Sequence, residues 1–160
     1  MVLATSIALW SLAPTISAIR SRQTNIDLVA ARLEEASAAS DLVVVMPWYL
    51  GVSFERYYRA SAPWMSVPAI ADHKLQRYDL FKAQMQASEP LAPVFAAMER
   101  TLRSGNRVWL VGQLMFPQPG GTAPRLAPAP DPGAGWNEGA YLTSWMVQTI
   151  AVPPDARLER

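Results

Sequence analysis

The sequence predicts an α/β fold: a small, mostly parallel sheet of three strands or slightly more, with flanking helices, preceded by a partial transmembrane helix. Three observations carry this expectation. The run DLVVVMP at residues 41–47 is short, unbroken and rich in β-branched residues, the pattern of a central strand covered on both faces. A second run, RVWLVGQL at residues 107–114, is separated from it by helical patterns, and a connection of that length implies parallel pairing and right-handed crossovers. Residues 2–19 form 18 consecutive uncharged positions, followed by Arg20 and Arg22.

As a helix, that uncharged run would extend about 27 Å, just short of a ~30 Å hydrocarbon core. The two arginines follow it as interfacial anchors do. A signal peptide is the first rival, but it wants a positive region before the apolar run, and none stands there. A buried helix of a soluble domain is the second. We read residues 1–22 as the end of a transmembrane helix with its arginines. By the positive-inside rule two charges would place this end inside, a weak signal ahead of a translocated domain.

The α/β core is expected over residues 23–114. Thr24 or Asn25 caps a helix with Asp27 in its first turn, favourable against the helix dipole. Ile26, Val29, Ala30 and Leu33 make one buried stripe, and SAAS ends it. Asp41 opens the first strand, and Pro47 ends the ladder because it donates no backbone hydrogen bond. Gly51 lets the chain turn into a short helical piece at residues 54–58. A weaker strand lies at residues 64–67, between Pro63 and Pro68. A helix is predicted from Asp72 to Gln86, and another from Ser88, Glu89 and Pro90, with the proline in its first turn. The second has Leu91, Val94, Phe95, Met98 and Leu102 inward, Arg100 and Arg103 near its end, and Gly105 at C′.

Residues 115–135 hold six prolines and four glycines, too many for helix or sheet. They form a loop leaving the carboxyl end of a strand, the edge where open α/β sheets place ligands, and such a loop is either functional or disordered. Residues 136–150 resume as a C-terminal helix packing on the domain, with Tyr141, Trp145 and Gln148 on one side. Residues 151–160 are a tail.

Net charge is +1 with 17% charged residues, and no basic run exists, which argues against nucleic acid as a partner. No cysteine is present, so disulfide and thiolate chemistry are excluded. One histidine is too few for a histidine-based metal site. No P-loop or dinucleotide fingerprint occurs, since the first strand exits into MPWYLG. Gly51-Val52-Ser53 lacks the second glycine of a nucleophile elbow. No cofactor is called for. His73 beside Asp72 reads as a solvent-exposed histidine at a helix start, and Glu34 and Glu35 as a solvated face. Asp72 and Asp79, seven apart, either share a helix face suited to a cation or are an ordinary cap and surface charge.

What remains is the cluster Trp48, Tyr49, Arg56, Tyr57, Tyr58, Arg59 and Trp64 at the exit of the central strand. Aromatic faces and arginine forks suit sugar rings and phosphates, and equally a membrane interface. The alternative is core packing with polar tips bonded.

The segments RQTNIDLVAARLEEAS, DLVVVMPWYLGVSFERYY, PWMSVPAIADHKLQRYDLFKAQM and RVWLVGQL resemble the region after the last membrane helix of bacterial multi-spanning glycosyltransferases of the GT-C type, related to dolichyl-phosphate-mannose protein mannosyltransferases. The resemblance spans nearly the whole chain but rests on no catalytic signature. It implies a C-terminal domain on the extracytoplasmic (periplasmic) side of a membrane. Its partners would be that membrane, the remainder of the glycosyltransferase and a polyprenyl-phosphate sugar. The family's catalytic acid lies in a loop near the start of a much longer chain, to which nothing here corresponds, so this chain would be a fragment, accessory to recognition and not catalytic alone. Trp48, Tyr49, Arg56, Tyr57, Tyr58, Asp72, His73, Arg77 and Tyr78 are the candidate substrate-binding residues. A membrane-tethered α/β binding domain without transferase activity is the alternative, and a soluble α/β enzyme the third reading.

Overall fold

The computed structural model describes residues 24–117, 121–131, 133 and 137–151. Among the described residues, five helices surround a three-stranded parallel sheet of order β2-β1-β3. In chain order these are α1 (Ile26–Ala36), β1 (Leu42–Met46), α2 (Leu50–Tyr57), β2 (Trp64–Ser66), α3 (Tyr78–Gln86), α4 (Ala92–Arg103), β3 (Val108–Gly112) and α5 (Glu138–Ala151). Val43 pairs with Trp64 on one side and with Trp109 on the other, which makes β1 the central strand.

The alternation of β1 decides the layers. Val43 and Val45 enter a cluster with Ile26, Ala30 and Leu33 of α1 and Phe54 of α2. Leu42, Val44 and Met46 enter the opposite cluster, with Phe81 and Met85 of α3, Val94 and Met98 of α4, and Tyr141, Trp145 and Met146 of α5. A strand covered on both faces has no polar side to present, which is why its sequence is apolar without interruption. The link from β1 to β2 runs through α2 on one face, and the link from β2 to β3 through α3 and α4 on the other. The sheet grows first to one side and then to the other, so crossovers on opposite faces keep a common hand. The reversal lies between β1 and β3.

Asp41 ties the amino ends of these two strands together. Its Oδ1 accepts the Arg107 backbone N–H at 2.9 Å, and its Oδ2 accepts Trp109 Nε1–H and the Ala38 N–H, each at 3.0 Å. Burial by itself pushes this carboxyl up, but the hydrogen bonds, Trp109 foremost, outweigh it and hold its pKa below the ordinary value.

Several boundaries differ from the sequence expectation. Residues 72–77 are not helical: α3 begins at Tyr78, because the chain after β2 is held by side-chain contacts that a helix would break. Both flanking strands are shorter than expected. Pro93, not Pro90, is the proline in the first turn of α4. Gly105 does take the C′ position, with φ of 73° and its N–H on the Leu102 carbonyl at 2.9 Å. Thr24, rather than Asn25, supplies the side-chain oxygen at the start of α1, accepting Ile26 N–H at 3.3 Å.

The proline-rich connection is tied down over residues 121–131. Tyr141 Oη donates to the Ala127 carbonyl at 2.8 Å, Gln148 Nε2 to the Pro124 carbonyl at 2.9 Å, and Ala129 N–H to the Met85 carbonyl at 2.8 Å. A proline-rich chain has few donors of its own, so it is held by its carbonyls. The expected transmembrane segment at 1–22 and the tail from 152 lie outside the described residues. Among the described residues no helix is long and apolar enough to cross a membrane.

Candidate functional site

The carboxyl ends of β1 and β3 are pressed together by Gly112. Its φ is 110°, and a Cβ there would fall inside the envelope of the Met46 carbonyl oxygen. The Gln113 N–H donates to that same oxygen at 2.8 Å. The crevice that a strand-order reversal opens in such sheets is therefore closed at its base. What stands above it is the exit of β1.

That exit is aromatic. Trp48 is 2% exposed and stacks on Phe81, with ring centres 5.3 Å apart. Tyr78 meets the Trp48 ring edge-on at 5.4 Å and 89°, and Tyr49 meets it at 6.3 Å and 74°. Such edge-to-face contacts are individually worth about 1 kcal/mol beyond their area. Here they fix Tyr78, which is itself 50% exposed. Trp48 forms the floor of this surface and does not reach its outer face.

Beside Tyr78, Arg77 is clamped by two carboxylates. Its Nε and Nη2 donate to Asp79 at 2.9 and 2.6 Å, and its Nη1 donates to Asp72 at 2.8 Å. The fork on Asp79 is bidentate, the strongest geometry for this pair. The Arg77 guanidinium lowers Asp79 to about 2. Asp72 also lies below its usual value, first through the Lys74 backbone N–H and then through Arg77. Arg77 is raised by both, Asp79 first. Asp72 and Asp79, which by sequence are either a cation pair or a cap and a surface charge, share the cation that Arg77 provides, and the trio carries a net −1. Asp79 was not among the expected site residues, although the spacing Arg77-x-Asp79 is the signal that marks it.

His73 corrects the sequence expectation most sharply. It is 6% exposed, not at a solvent-facing helix start. Its ring lies 4.6 Å from the Trp64 ring and against Gly51, where a Cβ would collide with Nδ1. Neither ring nitrogen makes a hydrogen bond of good geometry. Burial lowers its pKa, opposed by Glu55, by the nearby Ile70 backbone and by Asp72.

The aromatic and basic cluster that is contiguous in sequence is divided in space. Because α2 leads from the carboxyl end of β1 back toward the start of β2, its eight residues carry the chain about 12 Å to the other edge. Arg56, Tyr57, Tyr58 and Arg59 therefore lie at the amino edge. There the Arg59 N–H donates to Glu34 Oε1 at 2.9 Å, and its guanidinium closes the end of α2 on the carbonyls of Glu55, Arg56 and Tyr58. Tyr58 is buried on Phe54 at 4.5 Å, and its hydroxyl donates to the Ala62 carbonyl. Burial raises its pKa. Trp64 packs on Phe54 and His73 within the α2 layer. Of the expected residues, Trp48, Tyr49, Asp72, Arg77 and Tyr78 are brought together, with His73 behind them. Arg56, Tyr57 and Tyr58 are not.

A groove of about 230 Å³ opens at the start of α4, between Leu91, Phe95, Leu126 and Trp145. It contains none of the expected residues, and Gln148 on its wall is already bonded to the Pro124 carbonyl. No protein-family model matches the chain, and no curated protein or solved structure matches it.

Proposed function

We propose that the chain is an extracytoplasmic accessory domain, a fragment, of a polyprenyl-phosphate-sugar-dependent membrane glycosyltransferase, and that its carboxyl edge contributes to recognition of the sugar. The observation that supports this reading is Tyr78: a half-exposed ring held edge-on by a buried tryptophan, directly beside the Asp72–Arg77–Asp79 clamp. A fixed aromatic face with adjoining carboxylate acceptors suits the apolar face and hydroxyls of a sugar ring. The clamp's net −1 disfavours a phosphate there, because like charges brought together cost free energy. The edge is thus read as meeting the sugar, not the phosphate of the carrier. Chemistry would come from the part of the transferase that holds the catalytic acid, so no glycosyl transfer is expected from this chain alone.

The test is titration of the full chain in detergent with polyprenyl-phosphate mannose and with sugar-free polyprenyl phosphate, read by tryptophan fluorescence. The sugar-bearing carrier should bind more tightly, and Tyr78→Ala or Asp79→Asn should weaken it about tenfold, the loss of roughly 1.4 kcal/mol. Equal binding of both carriers would overturn sugar recognition. Binding of neither would leave the competing reading, a membrane-tethered interaction domain without transferase activity. That reading is favoured by one observation, the exposed run Leu114, Met115 and Phe116.

A further inference from the structure

Seven large apolar or aromatic side chains are strongly exposed among the described residues: Leu28, Tyr57, Leu75, Tyr78, Leu114, Met115 and Phe116. Five of them, Leu75, Tyr78, Leu114, Met115 and Phe116, belong to the carboxyl edge of the sheet. Leu114, Met115 and Phe116 leave the end of β3 in succession, 43%, 37% and 64% exposed. Leu75, at 70%, lies two residues beyond His73, which rests on Gly51 at the start of α2. Leu50, the neighbour of Gly51, borders Gly112 at the end of β3. Leu75 and the run from Leu114 thus stand at the same edge of the sheet as the start of α2.

The entry of the chain lies at this edge too. The end of α1 joins the start of β1 through five residues, 37–41. Glu34, near that end, meets Arg59 at the amino edge. Thr24 and the start of α1 accordingly point to the carboxyl edge, with Leu28 in the first turn. The sequence that leads into Thr24 contains the 18 uncharged residues and then Arg20 and Arg22.

We infer that the carboxyl edge docks on a lipid surface, with Leu75, Leu114, Met115 and Phe116 entering the interfacial layer. One feature selects lipid over a second protein. The uncharged run is covalently joined at the same edge, so apolar side chains there meet the bilayer at high effective concentration. Lys74, exposed at the same edge, offsets the net −1 of the Asp72–Arg77–Asp79 clamp, so the edge carries no net charge that headgroups would repel. Scattered exposed leucines carry no meaning alone; their collection on the edge where α1 starts, shortly after the apolar run in sequence, does. Lipid contact at this edge rests on the membrane placement proposed above, but not on its sugar chemistry.

The chain lacks cysteine, so single labels are unambiguous. Full-length variants Leu75→Cys, Leu114→Cys and Phe116→Cys would carry bimane and be reconstituted in phosphatidylethanolamine–phosphatidylglycerol vesicles, with Tyr57→Cys and Ser104→Cys as amino-edge controls. With brominated acyl chains, the three edge labels should shift to the blue and lose most of their emission, while the two controls keep theirs. Adding Phe116→Glu should return the Leu75→Cys label toward its aqueous emission. Three edge labels that stay aqueous and unquenched would overturn the inference, as would failure of the chain to associate with vesicles. Labels shielded from water before lipid is added, and untouched by bromine, would assign the edge to a protein partner and overturn it equally. The vesicles contain no polyprenyl phosphate, so quenching in a chain that binds no sugar carrier would refute the transferase reading alone.

Discussion

At the residue scale, His73 and Gly51 depend on each other. The imidazole occupies the space that any other residue's Cβ would fill at position 51. Gly51→Ala should destabilise the protein by about 2 kcal/mol through overpacking, and much less in a His73→Ala background. Urea unfolding of the double-mutant cycle measures this coupling. The same ring makes stability depend on pH. Burial holds the folded pKa of His73 below its ordinary 6.5, so the unfolded chain takes up the proton first as pH falls. Its contribution is complete above that ordinary value and is lost as pH drops from there toward the folded pKa. Since His73 is the sole histidine, His73→Phe should flatten the urea midpoint between about pH 7.5 and pH 5.5, where the wild-type chain weakens with acid. Tyr78 and Arg77 are legible in sequence as polar and aromatic residues near a proline-bounded strand. Their mutual placement is not, because it depends on Trp48, thirty residues earlier, supplying the surface that Tyr78 stands on.

At the element scale, the joint between β1 and β3 hangs on Asp41. Asp41→Ala would leave the Arg107 N–H, the Trp109 indole N–H and the Ala38 N–H without their acceptor, and should cost about 3 kcal/mol. Its folded pKa is lowered, so this stabilisation is present above the ordinary 3.8 and disappears as pH falls below it. Acid unfolding followed by circular dichroism should show the Asp41→Asn variant losing part of that dependence. The proline-rich connection and α5 form a second joint. Trp145 touches Phe81 at 5.6 Å and Tyr141 at 5.7 Å while α5 holds the carbonyls of residues 124 and 127. Trp145→Ala should therefore cost about 4 kcal/mol. It should also raise proteolysis within residues 121–131, visible by mass spectrometry. The strands and the helices α1, α4 and α5 were readable because each must bury one stripe or both faces. The segment between β2 and α3 was not, since no periodicity encodes a chain held by a buried histidine and an arginine clamp.

At the scale of the whole molecule, three layers meet on β1, and the interior built from α1 to α5 and the sheet draws on two clusters, one on each face of β1. Residues 24–160 expressed without the preceding segment should therefore fold cooperatively, giving one coincident transition by fluorescence and circular dichroism. Aggregation or a non-cooperative melt would mean that residues 1–22 complete the core. The two edges of the sheet differ in character. The amino edge is closed by Arg59 on Glu34 and on the end of α2, whereas the carboxyl edge keeps Tyr78, Leu75 and the run from Leu114 exposed.

Sequence by itself determined the α/β class, the central strand, the parallel pairing and the proline-rich connection, because burial on both faces and missing backbone donors leave direct marks in composition and period. It also singled out the aromatic and basic residues. Only the tertiary structure decided which of them act together. The eight residues of α2 reverse the chain and separate Trp48 and Tyr49 from Arg56 to Arg59, while the crossover to α3 returns Arg77 and Tyr78 to the carboxyl edge. Proximity of that kind comes from packing between distant elements, and a linear spacing does not contain it. The start of α1 and the aromatic strand exit share one edge because α1 runs from the carboxyl edge to the amino edge, and β1 brings the chain back.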